Sequence, residues 1–232
     1  MLTLVLLPGM DGTGVLFKDF AAAAERDFKS VIVSYPNDPS LSYAELESLA
    51  RAALPRHESF LLLGESFSGP IAISIAATNP HGLLGLILCC TFARNPHRFL
   101  PFVTAALRPF PAGRVPLFIQ RNLLGRFASP ELVAKLRTLR QLVSARTLKT
   151  RLEAVSKIDV SEALGRVTVP TLDLRAKADR IVSRASGEEI RNILPGVSVA
   201  DLDAPHLLLQ TVPQEALGAI KSFVRNRIEI SN

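Results

Sequence analysis

Short apolar runs alternate with segments of helical period over the first 90 residues. The apolar runs, two of them later in the chain, are Leu2–Leu7, Val31–Tyr35, Phe60–Gly64, Leu84–Cys90, Thr171–Arg175 and Ser198–Leu202. Such nearly continuous apolar runs are typical of parallel strands covered on both faces. The intervening pattern predicts helices over Val15–Arg26, Tyr43–Leu54, Gly69–Thr78 and about Gln214–Arg227. This alternation predicts an α/β domain with right-handed crossovers.

The segment from Phe92 to Asp159 interrupts this alternation. It contains no clear strand, is rich in proline near its start, and becomes helical from Pro130 onward, where apolar residues recur every three or four positions. We interpret residues 92–159 as a helical cap inserted into a core domain of residues 1–91 and 160–232. The apolar residues around Phe99 and Phe110 either line an acyl pocket or only pack the cap onto the sheet.

Charge is distributed unevenly along the chain. The net charge is +6, yet between Phe92 and Ile158 ten arginines and three lysines stand against two glutamates, which gives this segment +11. Such a surface is either a solvated face or attracts an anionic substrate, carrier protein or coenzyme A thioester. The basic side chains in the later part of the cap are Arg137, Arg140, Arg146, Lys149 and Arg151.

Composition excludes several other classes of protein. With 48% apolar residues the chain is not expected to be disordered, and no apolar run approaches the roughly 18 residues of a membrane-spanning helix. With two tyrosines and no tryptophan, it lacks the interleaved aromatic residues of many nucleic-acid-binding proteins. Leu2–Leu7 is too short for the apolar part of a secretory signal, so we expect a cytoplasmic protein. Oligomeric state is left open.

The adjacent cysteines, Cys89 and Cys90, end a predicted strand. A disulfide between neighbouring cysteines demands unusual geometry, and no further metal ligands are evident nearby. We therefore interpret both as small core residues, and we expect neither a metal nor an organic cofactor.

The segment FLLLGESFSG contains a candidate nucleophile. Here a predicted strand runs into a small-x-Ser-x-small turn around Ser66 and then into a helix. A sharp turn of this kind lifts a serine hydroxyl above the sheet edge, and the small residues Gly64 and Ser68 relieve the crowding that it causes. An ordinary strand–turn–helix that happens to contain a serine is the alternative for this segment taken alone.

A serine nucleophile needs a base, and His206 is the candidate. It follows the last predicted strand, as expected if the chain order is serine, acid, histidine. The other histidines, His57, His81 and His97, are interpreted as surface residues.

The acid that orients the histidine is predicted to be Asp179. It lies in the loop after Thr171–Arg175, with room for one helix and one strand before His206. Asp201 and Asp203, at the end of the last strand, are rivals. Asp173 alternates within its strand and is expected below the sheet edge.

The loop LLPGMDGTG after the first strand has the features of an oxyanion hole. Acyl transfer passes through an oxyanion that preorganised N–H groups must meet. We assign these donors to the backbone of Met10 and of Phe67, the residue after the predicted nucleophile. Gly9 and Asp11 are candidate substrate contacts. A phosphate-binding loop is the rival interpretation, but the glycine spacing does not fit it, and a plain tight turn is the third.

Taken together, these four segments resemble the α/β-hydrolase family over nearly the whole chain. Departures from the family pattern are Pro8 in the oxyanion loop, Ser68 in the elbow, Ala176 in the acid loop and Pro205 before the histidine. No departure touches a reacting group. Because the oxyanion-loop strand begins at Leu2, the resemblance implies a reduced sheet of about six strands, all parallel, with helices on both faces and a cap.

The resemblance also implies a reaction. It implies hydrolysis of a small-molecule carboxylic ester or thioester through an acyl-enzyme on Ser66, or acyl transfer by the same site. In layout and cap charge the chain is similar to the esterases of biotin synthesis that act on esters bound to acyl carrier protein. A catalytically silent binding module of the same fold is the alternative outside the enzymes.

Overall fold

Six parallel strands form the centre of the protein, for which a computed structural model describes residues 1–96 and 117–228. The strands are β1 Leu2–Leu7, β2 Phe28–Ile32, β3 Phe60–Glu65, β4 Leu83–Cys89, β5 Thr171–Ala176 and β6 Ser198–Leu202. They form one sheet of order β2-β1-β3-β4-β5-β6, in which every neighbouring pair is parallel. The predicted six-stranded α/β fold is confirmed.

Helices cover both faces of the sheet, which explains why the strands are so continuously apolar. All six residues of β3 and five of the six in β1 are buried. A 3₁₀ turn at Val15–Phe17 leads into the first helix, and among the described residues the α-helices are α1 Lys18–Ala24, α2 Tyr43–Ala52, α3 Gly69–Ala76, α4 Leu117–Leu123, α5 Pro130–Leu142, α6 Ala145–Lys157, α7 Ser161–Gly165, α8 Arg184–Ile193, α9 Leu208–Thr211 and α10 Pro213–Arg227.

The hydrophobic core is divided by the sheet into two layers. One layer packs α2, α3, α7 and α8 against the sheet, and the other packs α1, α9 and α10 against the opposite face. A smaller third cluster joins Leu124 of the segment after α4 and Leu136 and Leu139 of α5 to Leu207, the residue after the predicted base. Part of the predicted cap therefore packs directly beside the loop that carries His206.

The second strand begins three residues earlier than the predicted Val31–Tyr35. Phe28–Ile32 pair with β1, the N–H of Val33 still donates to the carbonyl of Leu6 at 3.0 Å, and Tyr35 lies beyond the sheet. The N–H of Tyr35 donates instead to the carbonyl of Gly12 at 2.7 Å, so this apolar stretch supports the loop after β1. Periodicity could not separate a residue in the sheet from one that is buried just beyond it.

The ends of the predicted cap lie side by side. Arg94 and Asp159 form an antiparallel bridge, and the N–H of Val160 donates to the carbonyl of Ala93 at 2.9 Å. The described part of the segment is helical from Leu117 onward. The predicted apolar pocket around Phe99 and Phe110 lies outside the described residues.

Two other expectations concern single features of the fold. Cys89 and Cys90 are both free and buried, packed in the layer that contains α1 and α10. Among the helices of residues 1–96 and 117–228, none combines the length and hydropathy needed to cross a membrane.

The close packing of α3 against the end of β4 generates a prediction. A Cβ on Gly69 would lie 1.9 Å from the Thr91 hydroxyl oxygen, so Gly69→Ala forces a shift of the strand end or the helix. We expect the free energy of unfolding in urea to fall by about 1–3 kcal/mol. The matched control is Gly218→Ala in α10, where nothing lies within 4 Å of the new Cβ. This control should be neutral or stabilising by up to about 1 kcal/mol, because alanine favours helix. Equal midpoints for the two variants would contradict the packing described.

Candidate active site

Ser66 sits at a sharp turn between β3 and α3. β3 ends at Glu65, residues Ser66–Ser68 form a 3₁₀ turn, and α3 begins at Gly69. Ser66 has φ +49°, a left-handed conformation that is uncommon for residues other than glycine and that clusters at functional sites. A Cβ on Gly64 would lie 2.7 Å from the carbonyl oxygen of Ser68 and from the Cβ of Ala72. The turn therefore requires a small residue at position 64, as the sequence pattern indicates.

Ser66, His206 and Asp179 are brought together in one hydrogen-bonded chain. The hydroxyl oxygen of Ser66 lies 2.9 Å from Nε2 of His206, and Nδ1 of His206 lies 2.8 Å from Oδ2 of Asp179. The serine and the histidine are only 6% and 4% exposed. The three residues follow β3, β6 and β5, whose carboxyl ends meet at the same edge of the parallel sheet.

The Asp179 carboxylate is held in place by its own loop. Its Oδ1 accepts the backbone N–H groups of Ile181 at 2.8 Å and Val182 at 2.9 Å. These two bonds leave Oδ2 directed at the imidazole. A carboxylate fixed in this way also fixes the histidine ring, because the Nδ1–H donates to it.

The rival carboxylates are engaged elsewhere. Oδ1 of Asp201 lies 3.1 Å from Nε of Arg175, and Asp203 forms an ion pair with Arg126. Asp173 lies within β5 and is 1% exposed, as expected for a residue below the sheet edge. Burial raises the pKa of Asp173 to about 7, although Arg175 partly opposes this.

The protonation of His206 is governed by opposing influences. Burial favours the neutral imidazole and so lowers its pKa, whereas the charge and hydrogen bond of Asp179 and the charge of Glu65 raise it. The balance leaves the pKa of His206 above its ordinary value. The site therefore stabilises an imidazolium, which is the species formed when a histidine takes a proton from a serine.

The loop after β1 forms a tight turn beside Ser66. The N–H of Gly12 donates to the carbonyl of Gly9 at 3.0 Å, which places Met10 and Asp11 at the centre of a four-residue turn. The N–H of Met10 takes no part in this closing bond. Likewise, Phe67 lies in the first turn of a helix, where backbone N–H groups have no partner within the helix. The predicted roles of Met10 and Phe67 as oxyanion donors stay predictions.

Ser68 joins the two loops. Its hydroxyl donates to the carbonyl of Pro8 and also lies 3.0 Å from the hydroxyl of Tyr35. A glycine at position 68 could make neither contact. The departure of Ser68 from the usual elbow pattern thus adds a hydrogen bond between the elbow and the loop after β1.

The two predicted substrate contacts, Gly9 and Asp11, lie on either side of Met10. Oδ2 of Asp11 accepts the backbone N–H of Thr13 at 2.9 Å and also its hydroxyl hydrogen, so this carboxylate stabilises its own loop. Contact of Gly9 or Asp11 with a substrate stays a prediction.

Sequence reasoning missed Glu65, a buried carboxyl group next to the nucleophile candidate. It is 3% exposed, and its Oε1 accepts a hydrogen bond from Nε2 of Gln210 at 3.0 Å. Burial raises the pKa of Glu65 to about 7, although Gln210 and the charge of His206 act in the opposite direction. The available signal was an acidic residue ending an otherwise apolar strand.

The expectation for Arg151 was wrong. It was grouped with basic residues of a solvated or anion-attracting surface, yet it is only 3% exposed. Its guanidinium donates to the backbone carbonyls of Met10, Asp11 and Pro36. The physical reason is helical spacing, because Thr147 and Val155, four positions away on either side, share its buried face of α6.

Within the part of the chain that is described, no three His, Cys, Asp or Glu side chains are grouped so that they could hold a metal ion. His57 and His81 are exposed, and His97 lies outside the described residues.

Known proteins resemble this chain in sequence and in fold. The profile of a family described as serine aminopeptidase, S33 (Hydrolase_4), matches residues 38–200. The pyrrolizixenacetamide deacetylase of Xenorhabdus hominickii is 25% identical in an alignment of 190 positions that covers 76% of this chain and 69% of the deacetylase. The biotin biosynthesis bifunctional protein BioHC of Cellvibrio japonicus (strain Ueda107) is 25% identical in an alignment of 203 positions that covers 82% of this chain but only 40% of BioHC.

Among solved structures, the enol-lactonase from Burkholderia xenovorans LB400 has a similar fold. Its TM-score is 0.80 at 17% sequence identity, over 97% of this chain and 92% of the lactonase. The predicted resemblance to α/β-hydrolases is thereby confirmed. The similarity to BioHC agrees with the weaker predicted resemblance to proteins of biotin synthesis.

The influence of Asp179 on the pKa of His206 predicts the result of removing the charge of this aspartate. In Asp179→Asn, the burial that lowers the pKa of His206 is no longer opposed by the main influence that raises it. We expect this pKa, measured by NMR titration of the imidazole, to fall. The matched control is Asp203→Asn, which removes a nearby carboxylate that pairs with Arg126 and should leave the titration unchanged. An equal shift in both variants would contradict the specific coupling of Asp179 to His206.

Proposed function

Since the chain belongs to the Hydrolase_4 family, described as serine aminopeptidase S33, and is a hydrolase of the α/β-hydrolase fold, we propose that it cleaves carboxylic esters or thioesters through Ser66, His206 and Asp179. The observation that carries the proposal is the hydrogen-bonded chain from hydroxyl to imidazole to carboxylate, with distances of 2.9 and 2.8 Å. A serine hydroxyl becomes an effective nucleophile only when a base that is itself held by a third group lies within hydrogen-bond reach.

In the first half of the reaction, the hydroxyl oxygen of Ser66 attacks the substrate carbonyl carbon while Nε2 of His206 takes the hydroxyl proton. Asp179 stabilises the resulting imidazolium and remains ionised. The tetrahedral intermediate then collapses, and the imidazolium gives its proton to the departing alcohol or thiol. An acyl group is left on Ser66.

In the second half, His206 takes a proton from water, which attacks the acyl carbonyl. Collapse of this intermediate releases the carboxylic acid and returns the proton to Ser66. In both halves the backbone N–H groups of Met10 and Phe67 are the proposed donors to the oxyanion. Such donors are effective because they are fixed before the charge develops.

Esters, thioesters and amides are all chemically possible substrates for a serine nucleophile of this kind. The related proteins are named for different substrates, an acetamide for the deacetylase and an enol lactone for the lactonase. We favour esters and thioesters because alkoxide and thiolate ions are much weaker bases than the nitrogen anion expelled from an amide, so their departure needs less protonation by His206. A panel of esters, thioesters and amides of varied chain length ranks these classes directly.

Replacement of the nucleophile tests the proposed reaction. Ser66→Ala removes the attacking oxygen, so kcat toward p-nitrophenyl esters should fall by at least about 10⁴-fold. Circular dichroism and thermal unfolding check that the variant is folded. The matched control is Ser74→Ala, on the helix that follows the elbow, which should retain full activity. Retained activity in Ser66→Ala would refute the proposal.

A second, more specific candidate is a substrate carried by an acidic partner such as acyl carrier protein or by coenzyme A, with hydrolysis or acyl transfer at the same serine. The segment between Phe92 and Ile158 carries a charge of +11. Five basic residues on α5 and α6 are exposed, which supports this candidate: Arg137, Arg140, Arg146, Lys149 and Lys157. A cluster of one sign attracts a partner of the other sign and speeds its association.

The carrier candidate predicts a dependence on salt and on these side chains. We expect kcat/KM toward an ester on acyl carrier protein to fall as ionic strength rises, because salt screens exposed charges. The triple variant Arg137→Glu, Arg146→Glu, Lys149→Glu should lower it by about tenfold or more at low salt. A small p-nitrophenyl ester measures the same chemistry without recruitment and should be unaffected.

The matched control reverses the same amount of charge on the core, at Lys18, Arg191 and Arg225, all of which are exposed. This control should retain most of its activity toward the carrier-bound ester. Equal losses in the two triple variants, or no salt dependence in the unaltered protein, would reject a recruiting role for the basic surface.

A further inference from the structure

Arg151 is an arginine almost completely buried beneath the loop after β1. Its side chain extends from α6, within the predicted cap, and is 3% exposed. One guanidinium nitrogen, Nη1, donates to the carbonyls of both Met10 and Asp11 at 2.8 Å, and Nη2 donates to the carbonyl of Pro36 at 2.9 Å. These bonds go to backbone carbonyls and not to the proposed triad, so the proposed reaction gives Arg151 no role.

The carbonyls bound by Nη1 belong to the two central residues of the turn Gly9–Gly12. The Met10 N–H belongs to the Gly9–Met10 peptide unit, whose carbonyl accepts the bond from Gly12. Arg151 binds the carbonyls of the next two peptide units, on the other side of the Met10 Cα. Because each peptide unit is planar, holding the units on both sides of this Cα restricts the direction in which the Met10 N–H is aimed.

The loop is built to admit the guanidinium. Gly12 has φ +71°, and a Cβ there would lie 2.4 Å from Nη1 of Arg151. Any side chain at position 12 would therefore displace the arginine. The Asp11 carboxylate, on the same loop, supplies an opposite charge that partly offsets the burial of the guanidinium. Burial of an arginine is unfavourable unless its donors and charge are satisfied, so these partners make the arrangement stable.

A second contact fixes α6 over the same loops. Oδ1 of Asn37, just after Pro36, accepts hydrogen bonds from the N–H of Ser144 at 3.0 Å and from the hydroxyl of Thr147 at 2.7 Å. The first turn of α6 is thus attached to the loop after β2, one turn away from Arg151. These two hydrogen bonds hold the start of α6 in place independently of Arg151.

We propose that Arg151 is a positioning residue that aims the Met10 N–H into the oxyanion hole. The inference rests on the proposed function, because it assumes that this N–H meets the oxyanion. It assigns to one cap side chain a direct part in transition-state stabilisation, exerted through the backbone it binds. Arg151 does not touch the reacting atoms.

The central experiment is Arg151→Met, which keeps an unbranched apolar stem at this position but removes all three hydrogen bonds. A donor displaced by about 1 Å can lower a rate by about 10²-fold. We expect kcat toward a p-nitrophenyl ester to fall between about 10- and 100-fold, with KM changed by less than about threefold. Rates are expressed per active site, counted by the end point of fluorophosphonate labelling, so that unfolded protein does not contribute.

A transition-state analogue distinguishes the proposed positioning role of Arg151 from a purely structural role. A trifluoromethyl ketone forms a tetrahedral adduct with the serine, and the oxyanion of this adduct occupies the oxyanion hole. The alcohol released from the ester substrate binds without forming an oxyanion. In Arg151→Met the inhibition constant of the ketone should rise by about the same factor by which kcat/KM falls. Binding of the alcohol should be unchanged. Unchanged affinity for the ketone, or a normal kcat per labelled site, would overturn the inference.

Two further variants make the result interpretable. Arg151→Lys retains the buried charge but cannot reproduce the planar arrangement of donors, so kcat should lie between those of the methionine variant and the unaltered protein. It also replaces Arg151→Met if that variant does not fold, in which case full activity in Arg151→Lys rejects the inference. Arg191→Met is the matched control, because Arg191 is exposed on α8, away from the proposed recruiting surface, and its loss should leave kcat unaltered.

Failure of this inference is distinguishable from failure of the proposed function. If Ser66→Ala is inactive while Arg151→Met has a normal kcat, the serine mechanism stands and only the positioning role is rejected. If Ser66→Ala retains activity, the reaction itself has been misassigned, and the Arg151 variants no longer bear on an oxyanion hole.

Discussion

The hydrogen bond between the Ser66 hydroxyl and the His206 imidazole joins residues that are 140 positions apart in the chain. It depends on the parallel order of the sheet, which brings the ends of β3, β5 and β6 to one edge. It also depends on the left-handed backbone of Ser66, which lifts the hydroxyl above that edge. The small residues on either side of the turn and the apolar strand beneath it follow from these two requirements.

Several ionisable groups are buried in the proposed triad and the loops next to it, and each has a specific partner. Asp179 is held by two backbone N–H groups and the imidazole, Glu65 by Gln210, and Arg151 by three carbonyls. A buried charge without a partner is strongly unfavourable, so these contacts also restrict where each group can lie. The loop after β1 is bound from two directions, by Ser68 of the elbow and by Arg151 of α6. The arrangement is consistent with a site whose geometry is fixed before substrate enters.

The sequence was informative wherever the structure depends on local pattern. Continuous apolar runs predicted the central strands well, because strands covered on both faces must be largely apolar. The edge strands β2 and β6 contain polar residues and are only partly buried, so their pattern is weaker. Gly64 and the residues around Ser66 predicted the elbow, since only small side chains fit that turn. The expected chain order then selected His206 and Asp179. In the structure the imidazole of His206 contacts the Ser66 hydroxyl, and the carboxylate of Asp179 contacts the imidazole.

Features that depend on contacts between distant segments could not be predicted in the same way. The second strand was placed three residues late because Tyr35 is buried by the loop after β1 and not by a neighbouring strand. The burial of Arg151 could not be predicted, because its acceptors are backbone carbonyls more than 100 positions away. Every residue has a backbone carbonyl, so the sequence does not indicate which ones a buried arginine will bind. Glu65 was overlooked because nothing in the local pattern indicates Gln210 as its partner.

The central claim is that Ser66 forms the covalent intermediate. The most direct measurement is to inactivate the protein with a fluorophosphonate, digest it, and locate the added mass by tandem mass spectrometry. The account predicts one adduct, on Ser66, formed in proportion to the loss of esterase activity. Loss of activity with the adduct on another residue, or full activity with Ser66 completely modified, would contradict it.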